Sequence, residues 1–418
     1  MKRRLKSILA TGALAAFAAL APASSATQIH APPPPPAQIL VRAVGEGGAE
    51  RAIAGSKWGF IGELQRGLNA HAAACNLAPL EVTGLYGPAT AAAVARAQVC
   101  LKGKAAPDGA LTDHAFTAIT RQPAPDALDR ARLLTRMLEG SDYDTLAWNI
   151  CVSYRGDRAS VLTWGPYGRT LGWGGEMLAT LKKIDRAKLN AAFDAAGARG
   201  LDRLLALKTA RELGVKSTHR YPGAQKLMAG ICAQKGQMKA WRDAFATLGA
   251  DPEVRAIYDA DAWGQASWFR KVVDRLADSW QAAGLTPSEV DYAFFIDRSI
   301  HMGWGSARFA AVDAALATAK ARAAAAGETL TSAQARLAVA MAVRPSAHPT
   351  DRLARDVVFL VDAEADLAPA MGSAKGWPPG WRNLWAARAR ITAADVGLSD
   401  DRLGQGFPIL TAALAQGM

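Results

Sequence analysis

Residues 126–178 read DALDRARLLTRMLEGSDYDTLAWNICVSYRGDRASVLTWGPYGRTLGWGGEML, and this stretch decides how the larger part of the chain is read. Its first part has helical periodicity and stops at Glu139 before Gly140, the pattern of a helix C-terminus. Eighteen residues beyond Glu139, Asp157 sits in the polar turn YRGDRAS. A third acid, Glu176, stands in GWGGEML at the start of another helix. Strand-type alternation is scarce outside 150–172. Most of the remainder reads as alanine-rich amphipathic helix, at 59–73, 88–101, 126–139, 175–183, 199–213, 224–247, 264–283, 287–300, 307–325, 332–342 and 351–363. The expectation is a mainly α protein with a small β region.

Cleaving an acetal needs one protonated carboxyl to give a proton to the leaving oxygen and one ionised carboxyl to activate water or attack. A carboxyl at a helix end among aromatic and apolar neighbours has a raised pKa, and one in a wet turn stays ionised. Glu139 fits the first role and Asp157 the second.

The ends and the charge bound the setting. Lys2, Arg3, Arg4 and Lys6 precede an apolar run from Ile8 to Leu20, and APASSA follows at 21–26, the layout of a cleaved secretory signal. Its removal takes away four basic residues and no acidic one, so the formal charge of +12 becomes +8. The surplus is local, because residues 181–240 hold thirteen Lys/Arg and four Asp/Glu. A concentrated basic surface draws polyanions, which in a periplasmic or secreted setting are wall polymers and lipid headgroups rather than nucleic acid. No transmembrane segment is expected after signal cleavage. Residues 27–55, with APPPPPA at 31–37 and GEGG at 45–48, read as a Pro/Gly-rich linker. RQPAPD at 121–126 marks a second break, so two domains are expected, at 57–121 and 124–390, with an unassigned tail at 391–418. The four cysteines allow three pairings, and only Cys75–Cys100 with Cys151–Cys232 keeps each bridge inside one domain. No Cys/His cluster has zinc spacing, so no metal and no cofactor are expected.

In the first domain, Leu64, Leu68, Ala93, Val94 and Ala97 fall on inward helix faces, and a third helix runs to Ile119. LQ at 64–65, GLYGPAT at 84–90, AV at 93–94, AQ at 97–98 and DGALT at 108–112 occur in order. This pattern resembles the peptidoglycan-binding-like domain, a three-helix module of wall hydrolases, across 57–121. Tyr86 is the residue of the motif expected at a surface. The resemblance implies that peptidoglycan or another wall glycan is the partner. The inserted CNLAP at 75–79 and the cysteine pair depart from the commonest form.

In the second domain, LEGSDYDTLAW, then GDRAS, then GGEML resemble the start of the chitosanase family of lysozyme-like glycoside hydrolases. Segments at 241–263, 290–303 and 352–369 resemble later parts of that family in the same order. The resemblance implies a two-lobed lysozyme-like helical domain. It also implies a general acid at Glu139, the general base of an inverting reaction at Asp157, and a sugar-holding acid at Glu176. It implies a water-positioning role for Thr163, which stands one residue late, and an Asp–Arg network joining Asp297 to Arg352 or Arg355. Trp164 and Trp173, with Trp148, lie near the acids in sequence and offer flat rings to sugar faces, although most of the twelve tryptophans serve packing. His301, on an apolar helix, reads as a hydrogen-bonded core residue.

The expected function is hydrolysis of glycan strands, peptidoglycan first because chitosan is a polycation and residues 181–240 are basic. The alternatives are a chitosanase acting on glucosamine polymers, a lytic transglycosylase and a non-catalytic wall-binding scaffold.

Overall fold

The computed structural model describes residues 37–42, 53–101, 109–139, 141–151, 158–172, 175–214, 222–301, 304–343, 355–356, 358–360 and 392–402. The described chain is mainly helical, with small antiparallel strand pairings and no barrel. No helix among the described residues is long and apolar enough to cross a membrane. The signal-like segment 1–26 lies outside the described residues.

Short strands and helices alternate first. They are β1 (Ile39–Val41), β2 (Ile53–Ala54), α1 (Phe60–Ala70), α2 (Ala72–Cys75), β3 (Leu85–Tyr86), α3 (Pro88–Cys100), β4 (Leu111–Thr112) and α4 (Asp113–Thr120). The buried amide of Gln65 explains why LQ and GLYGPAT occur together. Its oxygen accepts from the Thr83 and Gly84 N–H groups at 3.0 and 2.8 Å, and its nitrogen donates to Leu85 O and Thr90 Oγ1 at 3.0 and 3.2 Å. Gly84 has φ +74°, and a Cβ there would lie 2.4 Å from backbone atoms of Ser56 and Lys57, so no other residue fits. Pro88 occupies the first turn of α3, where a missing N–H costs little. The expected inward residues Leu64, Leu68, Ala93, Val94 and Ala97 are all buried. Cys75 and Cys100 are bonded, with Cα atoms 5.5 Å apart.

Two expectations for this region need correction. Tyr86 is not at a surface: it is fully buried, and its hydroxyl donates to Gly109 O at 2.6 Å. The span 27–55 is not wholly a tether, because β1 pairs with β4, β2 pairs with β3, and Leu40, Val41 and Ile53 are buried. Apolar residues at 39–41 supply a core face that the flanking proline and glycine runs obscure.

Next come α5 (Ala127–Glu139) and a three-stranded sheet ordered β5 (Leu146–Ala147), β6 (Thr163–Trp164), β7 (Arg169–Thr170). Both pairings are antiparallel, with Leu146 opposite Trp164 and Thr163 opposite Thr170. β6 and β7 fall within the stretch of strand-type alternation, and β5 lies just before it. Then follow α6 (Glu176–Leu181), α7 (Arg186–Ala196), α8 (Leu201–Leu205), α9 (Ala210–Leu213), α10 (Pro222–Cys232), α11 (Gln237–Ala250) and α12 (Pro252–Trp263). The helices expected at 199–213 and 224–247 are each broken in two, the second at Gly236, whose φ is +81°. α7 and α12 are absent from the expected helices. Asp185 and Asp251 cap them by accepting from backbone N–H groups in the first turn, and Pro252 follows the second cap. Cys151 and Cys232 are bonded, Cα to Cα 6.4 Å, and so tie the region after β5 to α10.

The last helices are α13 (Trp268–Ala282), α14 (Glu289–His301), α15 (Ser306–Ala325) and α16 (Ser332–Ala342), the last opened by a Thr331/Gln334 capping box. α14 packs on both α13 and α5. Buried apolar side chains from Leu40 to Leu398 form one continuous cluster. Residues 53–57 also bond across to α5 and to the turn after it: Arg136 Nε donates to Gly55 O at 2.5 Å, and Ser56 Oγ donates to Asp142 at 2.6 Å. The tail left unassigned at 391–418 begins as part of the fold. Asp400 pairs with Arg336 and Arg402 pairs with Glu289, both at 2.8 Å or less.

α14 is nearly immersed, yet it carries Glu289, Asp291, Asp297 and Arg298, each at most 2 % exposed. Each has an opposite charge. Arg130 Nη2 lies 3.2 Å from Glu289, Arg336 Nη1 2.7 Å from Asp291, Arg355 Nη1 2.7 Å from Asp297, and Asp356 bonds Arg298. Removing one partner of a buried pair strands the other charge and costs about 3–5 kcal/mol. Asp291→Ala is therefore expected to lower the unfolding free energy in urea by about that amount. Loss of the exposed Lys239–Asp243 pair through Lys239→Ala should change little. Equal effects of the two substitutions would contradict this picture of the core.

Candidate functional site

α5 has two unlike faces. Leu128, Arg130, Ala131, Leu134 and Thr135 point into the core. Asp129, Arg132, Leu133 and Arg136, at helical spacing, line a cavity on the other side. Glu139 is the last residue of the helix, three beyond Arg136. The Glu139 and His301 side chains, and all of Asp157, Trp173 and Arg352, lie outside the described residues.

Glu176 opens α6 behind Gly175, whose φ of +64° suits glycine. Burial pushes its carboxyl above the ordinary glutamate value, Arg169 and the Thr170 N–H pull against that, and Asp261 pushes the same way as burial. Asp261, on α12, behaves oppositely. Burial acts to raise it, but Arg169 at 2.7 Å, Lys183 and the Thr180 hydroxyl at 2.5 Å hold it below the ordinary range. Two carboxyls beside one arginine are thus pushed apart, one toward the neutral form and one toward the charged form.

The expected sugar platform Trp164 is a core residue instead. Its ring is fully buried against Phe245 and Tyr258, and its Nε1 donates to Tyr143 O at 2.7 Å. Trp148 is likewise buried, edge-on to Trp241. The reason is strand alternation: Trp164 points to the covered side of the small sheet, and Thr163 points to the other. Thr163 is half-buried, and its hydroxyl accepts from Asn149 Nδ2 at 2.7 Å. Asp297 pairs with Arg355, far enough inside the protein that the pair acts as support rather than contact.

The basic span 181–240 is partly neutralised in three dimensions. Lys182, Lys183, Arg186, Lys188 and Lys239 have acidic partners, among them Asp251, Glu253 and Asp261, which lie beyond the span. Arg199, Arg203, Lys208, Lys226 and Lys235 have no ion-pair partner among the described residues.

Sequence reading missed α12 and with it the groups that organise the neighbourhood of the sheet. Tyr258 donates its hydroxyl to Trp164 O at 2.9 Å and accepts from the Tyr167 N–H at 3.2 Å. A Cβ on Gly165 would lie 2.6 Å from that ring, so glycine permits the approach. One residue on, Asp259 accepts from the Tyr143 hydroxyl at 2.8 Å and faces the cavity. Burial raises its carboxyl, against the pull of Arg132. The available signal was Asp251–Pro252, a helix cap followed by proline at the first helical position. Among the described residues no three His, Cys, Asp or Glu side chains cluster as metal ligands.

Comparison of the chain with protein families, with curated proteins and with solved structures gives no match.

The raised Glu176 carboxyl has a consequence for stability. The folded state holds this proton more tightly than the unfolded chain, whose glutamate titrates near 4.5. Its contribution therefore falls as pH rises from that value through the raised one. Glu176→Gln should gain thermal stability relative to the parent across that window and keep the gain at neutral pH. A melting-temperature difference that stays flat with pH would show that the carboxyl is not held in a protonated preference.

Proposed function

We propose that the protein is an exported, wall-binding glycoside hydrolase that cleaves glycan strands by acid/base catalysis, with peptidoglycan as the substrate. Carrying the reading is the local order of the chain: α5 ends on Glu139, a three-stranded sheet comes next, and α6 opens on Glu176 with a carboxyl raised by burial. That order accords with the resemblance to the chitosanase family of lysozyme-like hydrolases. The first domain, with its interlocked LQ and GLYGPAT motifs, accords with a peptidoglycan-binding-like module that holds the enzyme on the wall.

In this mechanism Glu139, protonated, gives its proton to the glycosidic oxygen as the bond to the anomeric carbon breaks. Asp157, ionised, takes a proton from the water that attacks the opposite face, so the anomeric configuration inverts. Glu176 accepts hydrogen bonds from sugar hydroxyls. Thr163, already holding Asn149, lies one residue off the position of the family's water-binding threonine, and Asn149–Thr163 together offer polar groups at the central strand of the sheet. Peptidoglycan is preferred to a glucosamine polymer because its peptide stems carry carboxylates, which suit Arg199, Arg203, Lys208, Lys226 and Lys235, unpaired among the described residues.

Glu139→Gln keeps shape and removes the donated proton, so cleavage of purified sacculi should fall by about 10²–10⁴-fold. Asp157→Asn should fall comparably for an inverting hydrolase. Should Asp157→Asn be harmless while Glu139→Gln is inactive, a lytic transglycosylase, which needs one acid, replaces the hydrolase. If neither substitution alters the action on sacculi or chitosan, the acid/base assignment is wrong, and no cleavage by the parent protein favours a binding scaffold.

A further inference from the structure

A cavity of about 180 Å³ lies where the segment before α1 meets α5, the β6–β7 turn and α12. The proposed chemistry uses none of its charged groups. Three guanidinium groups line it, from Arg132, Arg136 and Arg255, against two carboxylates, Asp129 and Asp259.

The charges do not cancel through hydrogen bonds. Asp259 is already engaged by the Tyr143 hydroxyl, at 2.8 and 3.0 Å. Arg132 Nη1 stands 3.5 Å from Asp259 and 3.6 Å from Asp129, and Arg132 is only 21 % exposed. Those separations permit Coulombic attraction but lie beyond a good hydrogen bond. Among the described residues its Nε has no acceptor, and neither has Nη1 of Arg136, whose Nη2 stands 3.5 Å from Asp142. Arg255 donates to the carbonyls of Gly249 and Ala250, and no carboxylate among the described residues is within ion-pair distance of it.

Trp58 in the cavity wall is not a free platform for a sugar ring. Arg255, Lys57 and Arg66 all lie over it, at 4.8, 5.2 and 5.7 Å from its centroid. The ring instead fixes cations in place. α1 begins at the same cavity with no side-chain cap, and Gly59, Phe60 and Ile61 line it, which adds the positive end of a helix dipole. The surroundings are rich in donors and short of an acceptor. A carboxylate matches the flat fork of a guanidinium, and the volume suits a small arm rather than a polymer backbone.

We infer that this cavity is a subsite for a carboxylate-bearing arm of a wall fragment, with Arg132 gripping the carboxylate and Arg136 and Arg255 flanking it. The carboxylate follows from the cavity itself, and the wall as its source rests on the function proposed above. Arg132 precedes Glu139 by seven residues of one helix, about 10 Å along its axis. The subsite would therefore set the register of a strand presented to the acid. Two wall groups carry the required chemistry, the lactyl carboxylate of muramic acid and the terminal carboxylate of a stem peptide.

Calorimetric titration of the full chain with N-acetylmuramic acid, N-acetylglucosamine and D-alanyl-D-alanine separates them. N-acetylglucosamine shares the ring of the first probe but lacks the carboxylate. At least one carboxylate probe should bind while N-acetylglucosamine does not, and Arg132→Gln should weaken that binding at least about tenfold. Arg255→Gln serves as a second variant and should weaken it in the same direction. Binding of N-acetylmuramic acid alone assigns the sugar carboxylate, and binding of the dipeptide assigns the peptide. No binding by either carboxylate probe, equal binding of the two sugars, or binding unchanged in both folded variants would overturn the inference. The titration reads binding and not cleavage, so failure of the hydrolase reading leaves a distinct result.

Discussion

The buried charges of α14 constrain everything around them. Glu289, Asp291, Asp297 and Arg298 have almost no contact with solvent, so each must meet an opposite charge or the helix cannot be covered. The partners come from separate parts of the chain: Arg130 on α5, Arg336 on α16, Arg355 and Asp356 in a short helical stretch, and Asp400 and Arg402 near the end. Such pairs add little net stability compared with apolar packing, but they penalise every other register of the helices. α5 is fixed in rotation by Arg130, and that rotation turns Asp129, Arg132 and Arg136 toward the cavity.

α12 supplies a second constraint. Its residues 258, 259 and 261 reach three different surroundings. Tyr258 goes under the sheet, Asp259 to the cavity, and Asp261 to Arg169 and α6. One helix thus couples the sheet, the cavity and the element bearing Glu176. The carboxyls of Glu176 and Asp259 are raised because they are buried, and Asp261 is lowered because Arg169, Lys183 and Thr180 all donate to it.

Local signals were legible in the sequence, and tertiary ones were not. Glycine after Glu139 and proline at the start of α3 are short-range features, and the elements stand where they point. Alternation near 150–172 located the sheet, though not which face of it would be covered, so Trp164 reads as a sugar platform when it belongs to the core. Tyr86 failed likewise, because a turn tyrosine looks exposed until Gly109 O is brought to its hydroxyl by a segment more than twenty residues away. The pairing of Asp297 with Arg355 was one of two expected choices, while the partners of Glu289 and Asp291 depend on contacts that no local pattern encodes. The net charge of 181–240 was counted correctly, but its field is smaller than the count implies, since acids from α12 and its cap lie against it.

Cleavage of wall glycan is the central claim, and the most direct test is mass spectrometry of the soluble products after incubating the protein with purified sacculi, alongside chitosan. Release of muropeptides with free reducing ends, each heavier than the uncut repeat by one water, is the result predicted for a peptidoglycan hydrolase. Sacculi that stay intact under conditions where the protein is folded and bound to them would contradict it.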